Sequence, residues 1–197
     1  MISPSRLVIL ISGHGSNLQA IFEACTSAEL HASVVSVISN KADAYGLARA
    51  RNAGVEAIYF AKQENETRNE YDTRLAELVV TKHPDYIILA GWMHILTSSF
   101  LDHFQNRVIN LHPALPNMFP GTHAIERAFV SYQRGEIEHT GVMIHLVPDE
   151  GVDNGPVLGQ QEIHFQPGES LEEFEERVHE VEHKLLVNTL KSILEPQ

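Results

Sequence analysis

The sequence predicts an α/β protein: an open, mostly parallel sheet with helices on both faces, a C-terminal antiparallel pair of strands and a long closing helix. Two observations support this fold class. Short apolar runs rich in β-branched residues alternate with segments whose apolar residues recur every three to four positions. After residue 112 this alternation stops, and two strand-like runs are joined by only a loop, which favours antiparallel pairing.

The first half of the chain alternates strands and helices. Apolar runs such as LVILIS are typical of strands that are buried on both faces. Tyr71, Leu75 and Leu78 recur at helical spacing and form one apolar face. The sequence therefore predicts strands at 7–12, 33–39, 55–60 and 86–91, with helices at 16–28, 43–53 and 67–82.

The second half continues the sheet and then closes it. Ser170 and Glu173 form a capping box, and the apolar stripe behind them predicts a long helix packed on the sheet. Since no linker or repeat interrupts the chain, we expect one domain over 1–197, with an N-terminal half at 1–105 and a C-terminal half at 106–197. The remaining predicted elements are a short helix around 98–104 and strands at 107–112, 140–147 and 156–165.

Composition excludes several classes of protein. The formal net charge of −12 argues against a nucleic-acid or anionic-membrane partner, because no basic stripe is present to replace phosphate counterions. A single cysteine, Cys25, rules out an internal disulfide framework. The apolar run before Ser12 is too short for a secretory core or a membrane span, so we expect a cytoplasmic protein.

A glycine-containing segment, SGHGSN (12–17), follows the first strand and precedes a helix. Glycines let backbone N–H groups approach a ligand, and a helix N-terminus favours an anion. The segment is not a dinucleotide fingerprint, since the third glycine would fall at Leu18, and the Lys-Ser/Thr of a Walker loop is missing. A compact phosphate fits it, but so does a plain strand–helix turn capped by Ser16 or Asn17.

Polar residues at the end of the fifth strand suggest carbonyl chemistry. Asn110 and His112 are two residues apart and therefore share a face of the strand. An amide can donate to a developing oxyanion, and an imidazole can move protons near neutral pH. Asp153 lies in the acidic loop between the last two strands, just before a Gly-Pro. A carboxylate brought near His112 would stabilise its imidazolium and raise its pKa.

Five blocks of sequence, in a fixed order, carry a family resemblance over nearly the whole chain. They are ISGHGSNLQAI (11–21), ISNKADAYGLARA (38–50), DYIILAGWMHIL (85–96), VINLHPALP (108–116) and VDNGP (152–156). Together they resemble the phosphoribosylglycinamide formyltransferases of purine biosynthesis. The resemblance implies a Rossmann-like fold and the transfer of a formyl group from 10-formyltetrahydrofolate to the amine of glycinamide ribonucleotide.

The resemblance also implies roles for individual residues. Asn110 would steady the oxyanion of the tetrahedral intermediate, His112 would be the general acid toward the departing folate nitrogen, and Asp153 would tune that histidine. The substrate phosphate would be held by Gly15, Ser16 and Asn17. The folate pocket would be lined by Arg68, Met93, His94, Ile95, Leu96, Asn110, Glu150, Gly151 and Val152.

The sequence departs from the family pattern at the folate pocket. His94 stands where the family pattern has an arginine, and the loop before Asp153 is one residue longer, around Gly151. The tract after His112 reads Pro-Ala-Leu-Pro instead of Pro-Ser-Leu-Leu-Pro. Two of these departures, at His94 and in the 149–152 segment, fall where the resemblance places contacts with folate.

The pentapeptide HEVEH (179–183) matches the H-E-x-x-H spacing of zinc hydrolases. A catalytic zinc needs a third protein ligand, and the fourteen residues after His183 contain no histidine. The resemblance instead assigns His179 and Glu182 to the ribonucleotide, with Glu182 suited to the amine or the ribose hydroxyls. We therefore expect no metal.

Other functions remain open from the sequence. A related folate enzyme could be a hydrolase that releases formate, or a transferase acting on methionyl-tRNA or an amino sugar. A catalytically silent nucleotide-binding module would bind ligand without turnover, and a zinc hydrolase would retain metal. The sequence allows either a monomer or a homodimer.

Overall fold

The computed structural model describes residues 3–194, which form one seven-stranded sheet covered by helices on both faces. The strands are β1 (Ser5–Ile11), β2 (Ala32–Ser39), β3 (Ala57–Tyr59), β4 (Tyr86–Leu89), β5 (Val108–His112), β6 (His139–Leu146) and β7 (Val157–His164). The helices are α1 (Ser16–Thr26), α2 (Tyr45–Asn52), α3 (Arg68–Val80), α4 (Ser98–Leu101), α5 (Ala124–Gln133) and α6 (Leu171–Leu194), and a 3-10 turn spans Asp102–Phe104.

The strand order is β3-β2-β1-β4-β5-β6-β7. Strands β1 to β5 pair in parallel, whereas β6 is antiparallel to both β5 and β7. The predicted fold class is therefore confirmed. The chain leaves β1 toward β2 on one side and returns to β4 on the other, so a crevice opens at the carboxyl ends of β1 and β4, where open α/β sheets bind ligands.

Strand β1 is the centre of the core. All five residues of Leu7–Ile11 are fully buried, as the continuous apolar run predicts. Because side chains alternate along a strand, Leu7, Ile9 and Ile11 pack on the face covered by α1, α2, α5 and α6. Val8 and Leu10 pack on the opposite face, under α3 and α4. Helices on both faces thus fix the strand whose end carries the glycine segment.

Helix α5 was not predicted from the sequence. It begins after His123, which has a φ of 57° and makes no capping hydrogen bond through its side chain. The usual start signal of a helix, a Ser, Thr, Asp or Asn cap, is therefore missing. The other differences are at boundaries: β3 and β4 are shorter than predicted, and the helix around 98–104 ends as the 3-10 turn.

The closing helix α6 begins as the capping box predicts. Ser170 N donates to Glu173 Oε2 at 2.7 Å, and Glu173 N donates to Ser170 Oγ at 3.3 Å. Phe174 then packs against Phe165 and Phe129, with ring centroids 4.5 and 5.9 Å apart. This cluster holds α6 on the sheet and carries its middle turns toward α1. Within residues 3–194, no helix has the length and apolar character needed to cross a bilayer.

Candidate active site

The carboxyl ends of β1, β4 and β5 meet in one place because these strands are neighbours in the sheet. The segment after β1 is tied to the segment after β4 by two hydrogen bonds. Ser12 N donates to Gly91 O at 2.9 Å, and Met93 N donates to Ser12 Oγ at 2.9 Å. The glycine segment and the segment after β4 therefore form one continuous rim beside the end of β5.

The structure brings Asn110, His112 and Asp153 together. Asp153 Oδ2 lies 3.2 Å from His112 Nδ1, and Asp153 Oδ1 accepts a hydrogen bond from Asn110 Nδ2 at 3.1 Å. Gly121 N donates to the same carboxylate at 2.8 Å. Asp153 has a φ of 52°, in the left-handed region that L side chains rarely adopt. Backbone strain of this kind is concentrated at functional sites, since surrounding contacts must maintain it.

His145 is a member of this group that the sequence analysis missed. It lies directly opposite Asn110 in the antiparallel β5–β6 pair and is 2% exposed. Its Nδ1 lies 2.8 Å from Leu146 O, which can only accept, so Nδ1 carries the proton. Its Nε2 then accepts from Asn110 Nδ2 at 3.1 Å. The signal that could have revealed it was the strand alternation of β6 combined with antiparallel register.

The amide of Asn110 is fully engaged in this conformation. Its two hydrogens point to Asp153 Oδ1 and His145 Nε2. Neither hydrogen is directed at a free position where a substrate oxygen would lie. An oxyanion can be stabilised by this amide only when it displaces one of the two partners, which the sequence could not indicate.

The pKa of His112 is set by two opposing effects. Burial lowers the pKa below the ordinary value for histidine, because the charged ring is poorly solvated there. The carboxylate of Asp153 acts in the opposite direction, and backbone hydrogen bonding to Met118 and to Phe119, whose carbonyl oxygen lies 3.1 Å from His112 Nε2, also favours the protonated ring. Asp153 therefore raises the pKa of His112 as expected, but burial outweighs this effect and the net shift is downward.

The pKa of Asp153 is held below the ordinary range for a carboxyl group. Burial opposes its ionisation, but interactions with the neighbouring imidazoles of His145 and His112, together with the hydrogen bond from Gly121 N, outweigh that effect. The carboxylate is therefore ionised at neutral pH. It can stabilise a positive charge on His112 as that charge forms.

The glycine segment forms a tight turn that leads directly into α1. Gly15 has a φ of 76°, and a Cβ there would lie 2.9 Å from Gly46 Cα, so the position requires glycine. Gly46 N donates to Gly13 O at 3.1 Å, and Arg49 Nε donates to His14 O at 3.0 Å. Gly15 precedes the helix without a side-chain capping bond. The alternative in which Ser16 or Asn17 caps the helix is therefore wrong.

The side chain of Asn17 does not point out of the turn toward a phosphate. Its Nδ2 donates to Glu182 Oε2 at 3.0 Å, and the bond is buried. The Oδ1 of the same amide is buried without a hydrogen-bond partner. Any phosphate contact from this residue would therefore use the backbone N–H at the start of α1, whose first-turn N–H groups have no partner within the helix.

Glu182 is the buried member of the HEVEH segment. It is 4% exposed, whereas His179 is exposed, and burial raises the pKa of the Glu182 carboxyl. No group of three or more His, Cys, Asp or Glu side chains suited to a metal ion is found in residues 3–194. The structure joins Glu182 to Asn17 at the start of α1, which links the far end of the chain to the glycine segment.

The predicted folate residues divide into two groups. A single cavity beside His112 and Asp153 is lined by most of them: Met93, His94, Ile95, Leu96, Asn110, Gly151 and Val152.

Arg68 and Glu150 do not line that cavity. Arg68 donates to Ile95 O at 2.8 and 3.0 Å and borders an adjoining cleft with Lys62 and Tyr71. Glu150 Oε1 accepts from Ser98 N at 3.0 Å. The carboxylate of Glu150 is thus bound at the start of α4 in this structure, and its contact with folate stays a prediction.

His94 lies at the junction of the cavity and the cleft. Its ring packs against Trp92 and Tyr71, with centroids 5.8 and 6.1 Å away. Burial lowers the pKa of its ring, and Asp72 partly opposes that shift. At neutral pH His94 is therefore a neutral polar group, where an arginine would be a permanent cation.

Comparison with known proteins agrees with this geometry. The family described as Formyl transferase matches residues 5–190. A phosphoribosylglycinamide formyltransferase from Dictyostelium discoideum is 46% identical over 94% of this chain and 96% of that protein. The protein of the same name from Escherichia coli is 40% identical over 91% of this chain and 82% of its own length.

Solved structures give the same result. Glycinamide ribonucleotide transformylase 1 from Symbiobacterium toebii superposes with a TM-score of 0.91 at 34% identity, over 98% of this chain and 89% of that one. The corresponding protein from Geobacillus kaustophilus gives 0.90 at 33% identity, over 98% and 100% of the two chains. The chain therefore belongs to the formyl transferase family and, within it, to the phosphoribosylglycinamide formyltransferases.

Proposed function

We propose that this protein transfers the formyl group of 10-formyltetrahydrofolate to the amine of N1-(5-phospho-D-ribosyl)glycinamide, a step of de novo purine biosynthesis. The observation that carries the proposal is the convergence of Asn110, His112 and Asp153 on one cavity beside the glycine turn. A silent binding module would not require a histidine and a carboxylate buried together at the end of a central strand. Family membership supports the same reaction.

The reaction needs one proton to move from the acceptor amine to the folate nitrogen. The amine nitrogen bonds to the formyl carbon, and the bond from that carbon to N10 of the folate breaks. Protonated His112 donates its proton to N10, and the neutral ring then takes up the proton released by the amine. Asp153, ionised and 3.2 Å away, stabilises the charged form of the ring through this cycle.

The tetrahedral intermediate carries a developing negative charge on the formyl oxygen. Asn110 lines the same cavity as His112, and its Nδ2 can turn from Asp153 or His145 to that oxygen. A single donor of this kind contributes about 10²–10³-fold in rate in acyl transfer. The site for the oxyanion is therefore not preformed: it forms when Asn110 exchanges one of its hydrogen-bond partners for the formyl oxygen.

The ribonucleotide would lie along the turn and α6. Its phosphate would accept from backbone N–H groups of Gly15, Ser16 and Asn17 at the start of α1. The carboxylate of Glu182, held by Asn17, would bind the amine or the ribose hydroxyls, with His179 at the rim. The pterin-bearing donor would occupy the cavity lined by Met93 to Leu96 and Val152.

The direct test of the proposed function is a spectrophotometric assay with a 10-formyl folate analogue. We expect loss of the formyl group only when glycinamide ribonucleotide is present, and no effect of a chelator. Loss without the ribonucleotide would instead identify a hydrolase. Turnover abolished by the chelator would identify a metal enzyme, and no turnover at all would leave a sugar-directed transferase or a binding module.

Asp153→Asn is expected to lower kcat at neutral pH by about 100-fold. Removing the charge removes the largest effect that raises the pKa of His112, so burial is less opposed and the pKa falls further. The limb of the kcat–pH profile assigned to His112 should therefore move to lower pH. Asp149→Asn, in the same loop but exposed and bonded to Gly151 N, is the control. An unshifted limb in Asp153→Asn would contradict the assigned role.

Glu182→Gln is expected to move stability and binding in opposite directions. The folded pKa of Glu182 is raised, so its protonated form stabilises the fold, and that contribution is lost as pH rises through the folded pKa. The neutral amide should therefore raise the free energy of unfolding at neutral pH, and the difference should vanish in acid.

The same substitution should weaken ribonucleotide binding by about tenfold or more, because a charged acceptor is lost. Calorimetric titration and urea unfolding would measure the two effects, with Glu180→Gln on the exposed side of α6 as the control. A variant that binds normally would rule out Glu182 as a substrate contact.

A further inference from the structure

The turn between β5 and α5 is held in an unusual backbone conformation. Asn117, Phe119 and Gly121 have φ values of 66°, 46° and 80°. Two of these three are not glycine, and L side chains adopt positive φ only where surrounding contacts maintain it. We therefore expect side-chain contacts nearby that maintain this backbone conformation.

The turn touches both partners of the His112–Asp153 pair. Phe119 O lies 3.1 Å from His112 Nε2, and Gly121 N donates to Asp153 Oδ2 at 2.8 Å. A movement of the turn would therefore disturb the imidazole and the carboxylate together.

Arg127, on the first turn of α5, is the side chain that holds this segment. Its Nη2 donates to Phe119 O at 2.6 Å and to Pro120 O at 2.7 Å, so one nitrogen bridges two successive carbonyls. Its guanidinium also lies 5.9 Å from the centroid of the Phe119 ring. A planar guanidinium suits this bridging, whereas an ammonium group is a point donor on a flexible stem.

We propose that Arg127 is a positioning residue that fixes Phe119 O as the acceptor for His112 Nε2–H, and thereby makes His112 Nδ1 the nitrogen that gains and loses the catalytic proton. Phe119 O and the Asp153 carboxylate can both only accept, and the neutral ring has one hydrogen to donate; the hydrogen lies on Nε2 because Asp153 already accepts from Asn110 and Gly121. The other nitrogen, Nδ1, faces Asp153 and is the one whose proton can be exchanged. The assignment of nitrogens rests on geometry, whereas its role in catalysis rests on the proposed function.

The charged and titratable groups around His112 decide whether its pKa rises or falls when Arg127 is removed. They are Asp153 from the β6–β7 loop, His145 from β6 and Arg127 from α5. Arg127 is exposed, so its charge is screened by solvent and salt. His112 is 3% exposed, so the loss of an acceptor there is not compensated by water. Removing Arg127 should therefore lower the pKa of His112 through the displaced carbonyl.

The test is ¹⁵N NMR of histidine-labelled, ligand-free protein, with the His112 signal assigned from His112→Gln. In the wild type, we expect the neutral ring of His112 to carry its hydrogen on Nε2. In Arg127→Met, we expect a mixture of the two tautomers and a titration midpoint at lower pH. Arg127→Lys should give a tautomer ratio and a titration midpoint between those of the wild type and Arg127→Met. Arg134 is an exposed arginine at the end of the same helix and is paired with Glu136, so Arg134→Met should match the wild type.

Two NMR results would overturn the proposal. One is a wild-type neutral ring with its hydrogen on Nδ1, and the other is a wild-type tautomer and midpoint in Arg127→Met. If Arg127→Met fails to fold, the wild-type spectrum and Arg127→Lys still decide between these outcomes.

Kinetics provide an independent check. Arg127→Met should lower kcat about tenfold at neutral pH, corresponding to about one pKa unit, and the loss should diminish as pH falls. KM for the ribonucleotide should stay unchanged, and a loss independent of pH would contradict the positioning role. Failure of the proposed function would appear differently, as a wild type without formyl transfer whose His112 spectrum is still as expected.

Discussion

The buried carboxylate of Asp153 is the group on which the arrangement of the site depends. It comes from a loop, yet it binds the amide of Asn110, the N–H of Gly121 and the ring of His112. A buried carboxylate is costly unless such partners surround it, so the same contacts that keep it ionised also fix the loop. The strained backbone of Asp153, with a φ of 52°, is maintained by these bonds. Chemistry and local structure are thus maintained by one set of interactions.

A second buried contact organises the other half of the site. The Asn17–Glu182 hydrogen bond joins the start of α1 to the middle of α6, over a sequence separation of 165 residues. It keeps a carboxyl group next to a helix N-terminus, a position that favours negative charge. Burial nevertheless raises the pKa of Glu182, so the fold accepts a destabilising group there. A buried group that works against stability is typical of a site kept for binding.

The sheet was predicted well because the patterns that indicate strands and helix starts lie in residues that are neighbours in the sequence. The apolar run of β1 and the capping box of α6 report burial and helix start directly from neighbouring residues. Helix α5 was missed because its start at His123 relies on a left-handed residue and no capping side chain. The clustering of Asn110, His112 and Asp153 followed from strand ends and from the family resemblance. His145 and Phe119 could not be found so easily, since one depends on antiparallel register and the other acts through its backbone carbonyl.

Side-chain direction was the least predictable property. Asn17 and Glu150 have the residue types expected of ligand contacts, but the structure uses both side chains internally. The net pKa shift of His112 also depended on burial, which a motif does not reveal. These differences have one cause. The hydrogen-bond partners and the burial of a side chain depend on tertiary packing between segments that are far apart in the sequence.

His112, whose pKa is set by burial and by Asp153, is the proposed proton-transferring group. The most direct test is to titrate His112 by NMR and to measure the kcat–pH profile of the wild-type protein in the same buffers. We expect a kinetic midpoint to coincide with the His112 midpoint, and both to lie below the ordinary pKa of histidine. A profile in which kcat does not change as His112 titrates would contradict it.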